Sequence, residues 1–284
     1  MSVRCVDTDD DTPLQRAIPM THEILPADER LLAEVEAWLD AEEVAYKAAF
    51  EAWKANDYEG DAPVRGFRCN WDSAKRAWRE GHSKIHVFVV GDQAVGFLDG
   101  TDILEIRPGF RGNGYGRLLA DFMVKSAGDE GRSVVKIEIA PASAEPFWEC
   151  MGFTLMDDRP SSGGGTFAFK VLPRTFNLGD GERVPYMISF FTQRERYKDE
   201  PKAFAQFDGI GEQLRDGRIQ LQERAFCFNP EDDQHVDYFV KIELDGRLVH
   251  FDKAKYEEST SFGVERDPGY DFYIERINPK HASV

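Results

Sequence analysis

The chain has no run of apolar residues near the roughly 18 needed to cross a bilayer, so no membrane partner is expected. Cysteine is scarce. The four, Cys5, Cys69, Cys150 and Cys227, lie far apart and form no Cys-x-x-Cys pair, which argues against a zinc site and a disulfide framework. Positive charge is short as well. Lys and Arg number 35 against 52 Asp and Glu, giving a formal charge of −17 and a pI near 4.8. Phosphate backbones call for clustered Lys and Arg, so nucleic acid is disfavoured as a partner. An acidic surface attracts amines, but its plainer role is solubility. No repeat or low-complexity tract occurs. The N-terminus is polar and acidic, with Asp7, Asp9, Asp10 and Asp11, and does not read as a signal peptide. Residues 1–18 are expected to be a loose tail, and the protein to be cytoplasmic and metal-free.

What is present is enough for two modest cores: 284 residues, 42% hydrophobic and 12% aromatic. The most informative stretch runs from Ile103 to Phe153. An apolar run, Ile103-Leu104-Glu105-Ile106, meets Arg107-Pro108-Gly109-Phe110 and then Arg111-Gly112-Asn113-Gly114-Tyr115-Gly116. A helix-patterned segment starts at once with Arg117. Glycines directly before a helix let successive N–H groups converge on an anion at a positive helix end, and a pyrophosphate is the obvious candidate. Arg111 can add a charge-assisted contact. The loop lacks the Gly-Lys-Ser/Thr of a P-loop and the full dinucleotide pattern. A plain glycine turn remains the alternative at this point.

Upstream, residues 19–25 suit a first strand, and Pro26 and Asp28 open a helix. Leu31, Leu32, Val35, Trp38, Leu39 and Val44 recur at helical spacing, and Tyr46, Phe50 and Trp53 extend that face. A second helix is expected over Ser73–Glu80, capped by Asn70 or Asp72 and stopped by Gly81. His86–Val90 and Ala94–Leu98 flank Gly91-Asp92-Gln93, a hairpin signal. Downstream, Ser133–Ile139 reads as a strand, Ala144–Gly152 as a short helix ending at glycine, and Thr166–Val171 as another strand.

Three pieces, in this order and spacing, resemble the Gcn5-related N-acetyltransferase superfamily. They are Ile106-x-Pro108, Arg111-x-x-Gly114-x-Gly116, and the block Phe147-Trp148-Glu149-x-x-Gly152-Phe153. The resemblance covers about residues 20–172. It implies an α/β (α+β) fold for 19–172, a mixed, mainly antiparallel sheet flanked by helices. It also implies acetyl-CoA as cosubstrate and an amine-bearing acceptor. Residues 111–116 would then hold the coenzyme pyrophosphate, with Asn113 and Tyr115 among its contacts. Backbone groups around Leu104–Arg107 would pair with the pantetheine where the fourth strand splays from the fifth, and the Ile106 N–H would meet the acetyl carbonyl.

Two glutamates are candidates for the base that removes the acceptor proton. Glu138 and Glu105 each interrupt an apolar central strand, where burial raises a carboxyl pKa toward the useful range. Glu138, in an Ile-Glu-Ile setting, resembles the glutamate of ribosomal-protein N-terminal acetyltransferases and ranks first; Glu105 ranks second. The alternative for each is a structural carboxylate. Many family members carry a tyrosine as general acid where Trp148 stands here. An indole N–H is only a donor, so Tyr115, Ser143 or water would have to replace it. Trp148 is retained as a coenzyme contact. Cys150 reads as a buried structural cysteine, and His82 and His86 receive no role. The aromatics Trp38, Tyr46, Phe50, Trp53 and Trp71 are core by default, with one or two free to line an acceptor pocket.

After Leu172 the texture becomes strand-rich: Pro185–Phe191, Ile219–Phe228, Val236–Leu244, Arg247–Phe251 and Tyr270–Ile277, with one short helix near Pro201–Phe207. Residues 173–284 are read as a mainly-β accessory domain: an independent domain, a lid, or an element forming a homodimer. The leading function is transfer of acetyl from acetyl-CoA directly to an amine. The alternatives are a non-catalytic acyl-CoA-binding module, and a protein-modifying enzyme that recruits its target through residues 173–284.

Overall fold

The structure is a computed structural model that describes residues 21–160, 165–231 and 237–279. The expected N-terminal tail lies outside these residues, as do Pro19, Met20 and Val236. The chain divides into two compact units. One runs up to Ser126 and takes in Ile137–Leu155 and Pro160–Ala168; the other comprises Ala127–Lys136, Met156–Arg159 and the chain from Phe169 onward.

The first unit begins with β1 (His22–Pro26), and Asp28 starts the longest helix, α1 (Glu29–Ala55). The Asp28 side chain accepts the Leu31 N–H at 2.7 Å, satisfying one of the orphan donors of a helix start. Next come α2 (Arg68–Arg79), β2 (Ile85–Val90), β3 (Gln93–Asp99) and β4 (Ile103–Ile106). The second helix therefore starts earlier than its polar residues suggested. Its N-cap is Phe67 and makes no side-chain cap bond.

Strands β1–β4 form an antiparallel sheet in sequential order. One face packs under α1 and α2, where Leu32, Val35, Leu39 and Trp71 meet Val87 and Phe97. The opposite face receives α3 (Tyr115–Asp129): Phe88 lies 5.2 Å from the Tyr115 ring, and His86 stands edge-on to Phe122. The alternation of adjacent strand residues between two helical layers explains why β2 is apolar almost throughout. Val44, assigned to the buried stripe of α1 by its spacing, is exposed. It lies two residues from both Glu42 and Tyr46, on the opposite side of the helix from the line they continue.

The chain continues with β5 (Val134–Ile139), α4 (Glu145–Cys150), β6 (Thr154–Pro160) and β7 (Thr166–Val171). The three strands make a sheet of order β5-β7-β6. Strands β4 and β5 are thus edges of different sheets, with no ladder between them among the described residues.

The second unit contains β8 (Arg183–Thr192), β9 (Ala205–Gln213), β10 (Ile219–Cys227), β11 (Tyr238–Leu244), β12 (Arg247–Lys253), the short α5 (Glu257–Ser261), β13 (Glu265–Arg266) and β14 (Phe272–Ile277). Their order is β12-β11-β8-β9-β10-β14-β13. Alternate residues such as Ile188, Phe190, Val240 and Ile242 fill one core. The helix expected near Pro201–Phe207 is absent. Ala205–Gln213 instead pairs with β8 over most of its length, because Ala205 and Phe207 are needed in that core. The short helix of this unit is α5, between β12 and β13. Among the described residues no helix is long and apolar enough to cross a membrane.

Candidate active site

Strand β4 carries the centre of the site. It pairs with β3 in the register Gly96↔Ile106 and Phe97↔Glu105, and the Arg107 N–H reaches the Val95 carbonyl at 2.8 Å. In an antiparallel ladder alternate residues bond to the partner strand. Residues 105 and 107 therefore turn their main chain toward β3, while Leu104 and Ile106 turn theirs to the open edge. This is the edge where the resemblance would place a bound amide chain. It exists because β4 is an edge strand, not the central strand expected.

At the end of β4 the chain makes a 3-10 turn at Pro108–Phe110 and enters the glycine loop. Gly112 and Gly114 take φ of +81° and +77°, and an added Cβ at either would meet nothing within 4 Å. Their glycine character serves the backbone turn and leaves the N–H groups unshielded. Among the described residues, no backbone acceptor takes the N–H groups of 112–116. Gly114 closes the first turn of α3 by accepting from Arg117 and Leu118. A row of open donors at a helix start is the geometry that an anion cradle needs.

The loop, the β4 edge and α4 enclose one cavity of about 890 Å³. Of the expected coenzyme contacts, Leu104, Ile106, Arg111, Gly112, Gly114, Gly116 and Trp148 line it. Asn113 and Tyr115 do not. The Asn113 amide turns back to the Phe110 carbonyl at 3.1 Å, and Tyr115 packs on Phe88. Ser143 is on the wall, which leaves it as the candidate hydroxyl that Tyr115 is not. Neither His82 nor His86 is a lining residue. Cys150 is exposed, contrary to the buried position expected of it, and also lies off the cavity.

The two glutamates part company. Glu138 is exposed and does not line the cavity. Its strand alternates as expected, with Val135, Ile137 and Ile139 buried, but the face that carries Glu138 opens to solvent at that position, so the premise of a buried carboxylate fails. Glu105 does line the cavity. Burial pushes its pKa up to about 7, Arg111 pulls against that rise, and the neighbouring carboxylate of Glu42 adds to it.

Arg111 is the hinge of the arrangement. Its Nε donates to the Ile106 carbonyl at 2.8 Å, and its terminal nitrogen lies 3.6 Å from Glu105 and 4.0 Å from Glu42. The side chain assigned to phosphate thus points toward the carboxylates, and Arg117, one residue after the loop, is a further cation on the cavity wall. Glu42 comes from α1, far before Arg111 in the chain. Its pKa is also raised, chiefly by burial, against the pull of Arg111 and Arg107. The sequence carried a signal for it: Glu42 is a lone charge in the apolar stripe Leu32, Val35, Leu39, Tyr46. Tyr46 also lines the cavity, whereas Trp38 and Trp71 are core.

No family model and no curated protein sequence matches the chain. Solved structures similar to it include a GCN5-related N-acetyltransferase from Rhodopseudomonas palustris, 22% identical, with TM-score 0.36 over 56% of this chain and 100% of that one. Another is the PaiA N-acetyltransferase from Thermoplasma acidophilum, determined with coenzyme A, at 12% identity, TM-score 0.38, and 54% and 100% coverage. A third is an acetyltransferase from Thermus thermophilus, at 17%, 0.39, and 54% and 99%.

Proposed function

We propose that the chain is an N-acetyltransferase that uses acetyl-CoA and passes the acetyl group directly to an amine. One observation carries the reading. A single cavity brings together the open N–H row of the glycine loop, the Leu104 main-chain groups and the Ile106 N–H, which meet no backbone partner among the described residues, and the Glu105 carboxyl with its pKa at about 7. Anion cradle, amide-pairing edge and tuned base are three different chemistries, and acyl transfer from a coenzyme thioester to an amine uses all of them.

In this reading the pyrophosphate takes the loop N–H groups and Arg117, and the pantetheine amides pair with the β4 edge. Acetyl-CoA supplies the acyl group as a thioester. The amine nitrogen bonds to the acyl carbon as the carbon–sulfur bond breaks, and the nitrogen's proton goes to Glu105. A base with pKa near 7 is half ionised at neutral pH and still strong enough to accept that proton. The Ile106 N–H is the donor for the carbonyl oxygen, a role worth roughly 3 kcal/mol in comparable sites. Trp148 has no usable acidity, so the sulfur leaves as thiolate or with the help of Ser143 or water.

The test is release of free thiol from acetyl-CoA with a panel of amines. Turnover that Glu105→Gln lowers by about 10²-fold or more, and that Glu138→Gln leaves intact, supports the assignment. Loss with Glu138→Gln alone would restore Glu138 as the base. Tight coenzyme binding with no turnover on any amine would make the chain a non-catalytic acyl-CoA-binding module.

A further inference from the structure

Resting on that reading, we propose that Glu42 is the seat of the acceptor's ammonium group, and that the acceptor is a primary amine with an apolar body and no carboxylate beside the nitrogen. Glu42 and Glu105 face the same cavity and share one guanidinium, Arg111, at 4.0 and 3.6 Å. The Nε of that guanidinium is committed to the Ile106 carbonyl. Among the described residues no side chain donates a hydrogen bond to Glu42, and 4.0 Å is beyond hydrogen-bonding distance. With both carboxyls ionised the pair exceeds Arg111 by one negative charge, and Arg107, the other cation that acts on Glu42, does so more weakly than Arg111. A partly buried carboxylate without a donor is costly, and a small cation with several N–H groups removes that cost. An incoming ammonium is such a cation.

The walls around Glu42 define the rest of the acceptor. Ala45, Ala49, Pro63, Val64 and the Tyr46 ring are apolar or nearly so. The aromatic face continues outward along α1, with Tyr46 and Phe50 at 5.9 Å and Phe50 and Trp53 at 5.8 Å. Of the cations on this wall, Arg65 is held by two hydrogen bonds to Glu43, at 2.9 and 3.2 Å, and Arg111 is already shared between Glu42 and Glu105. A carboxylate next to the acceptor nitrogen would therefore face Glu42 and Glu105 and be repelled. Glu42 holds the nitrogen as ammonium; one proton goes to Glu105, adjacent to Ile106, and frees the lone pair that attacks, and the second, shed as the carbon–nitrogen bond forms, goes to the departing sulfur through Ser143 or water.

Phenethylamine and phenylalanine differ by one carboxylate and serve as the probe pair, with thiol release from acetyl-CoA as the readout. The expected result is a kcat/KM for phenethylamine at least about tenfold above that for phenylalanine, the scale of one lost charged contact. Glu42→Gln should raise the phenethylamine KM by about tenfold or more, again the scale of a charged hydrogen bond, with kcat within about threefold. Calorimetric affinity for acetyl-CoA should not change, and Glu42→Asp should recover part of the KM. Wild-type turnover with an unchanged phenethylamine KM in Glu42→Gln overturns the role of Glu42. Phenylalanine turned over as well as phenethylamine, or amines accepted while phenethylamine is refused, overturns the acceptor class. No thiol release by the wild type with any amine overturns the transferase reading itself.

Discussion

Gly96 lies directly opposite Ile106 across the β3–β4 ladder, and a Cβ at Gly96 would stand 2.6 Å from Ile106 Cδ1 and 2.7 Å from the Glu105 carbonyl oxygen. The absent side chain lets the Ile106 side chain lie flat on β3 and keeps β4 close at the point where its other edge faces the cavity. Gly96→Ala is expected to push β4 outward, costing about 1–3 kcal/mol of stability, the usual scale of overpacking. Urea denaturation measures the loss, and calorimetry with acetyl-CoA should show weakened binding alongside it.

The base makes the pH dependence specific. Glu105 works ionised, so kcat/KM should rise with pH through about 7. Arg111 favours the ionised form, so Arg111→Gln should shift this limb to higher pH. A pH–rate profile of the two proteins shows the shift; a limb that moves to lower pH would contradict the assignment of Glu105.

Stability should run the other way. The Glu105 carboxyl titrates near 4.5 when unfolded and near 7 when folded, so between these values the folded state binds more protons. The contribution of this group is full below pH 4.5 and falls as pH rises toward 7. Glu105→Gln removes that fall and is expected to stabilise the protein at about pH 8 by up to about 3 kcal/mol. At about pH 4 the change should nearly vanish. Melting curves at the two pH values provide the comparison.

Two loop glycines should respond differently. Gly114 sits at φ +77°, where a side chain strains the backbone, and a carboxylate there faces the proposed phosphate. Gly114→Asp should weaken acetyl-CoA binding by at least about tenfold, or about 1.4 kcal/mol. A Cβ at Gly116 would come no nearer than 3.6 Å to the Phe147 ring, an ordinary contact, so Gly116→Ala should bind almost normally. Equal effects by calorimetry would count against the loop as the phosphate site.

In the second unit, the Arg224 side chain is only 3% exposed. It bonds to Glu275 and to the Ser133 hydroxyl, and lies 4.0 Å over the Tyr273 ring. Arg224→Leu leaves Glu275 without that partner and should cost roughly 3 kcal/mol. Lysine cannot reproduce the planar fork, so Arg224→Lys should recover little of it. Chemical denaturation followed by a probe in this unit reads both.

Much of this was legible locally. A glycine's need for φ > 0, the alternation of β2 and β5, and the capping of α1 by Asp28 are settled within a few residues of the chain. The glycine loop could accordingly be placed before a helix, and the strands around it marked, from the sequence alone. Which end of an alternating face meets water depends on what packs there, and that is a property of elements distant in sequence. Glu138 and Glu105 have the same local pattern, yet one is exposed and the other lies in a cavity. Ala205–Gln213 became a strand because a neighbouring strand offered it a ladder, and long-range pairing of this kind overrides a local preference. Glu42 entered the site from α1 because that helix packs against β3, the strand that pairs with β4. The sequence by itself determined the glycine loop and the elements that bracket it; the tertiary structure decided which carboxylates are half-buried beside it, since burial, and with it the pKa, is fixed by the partner element and not by the residue's own neighbours.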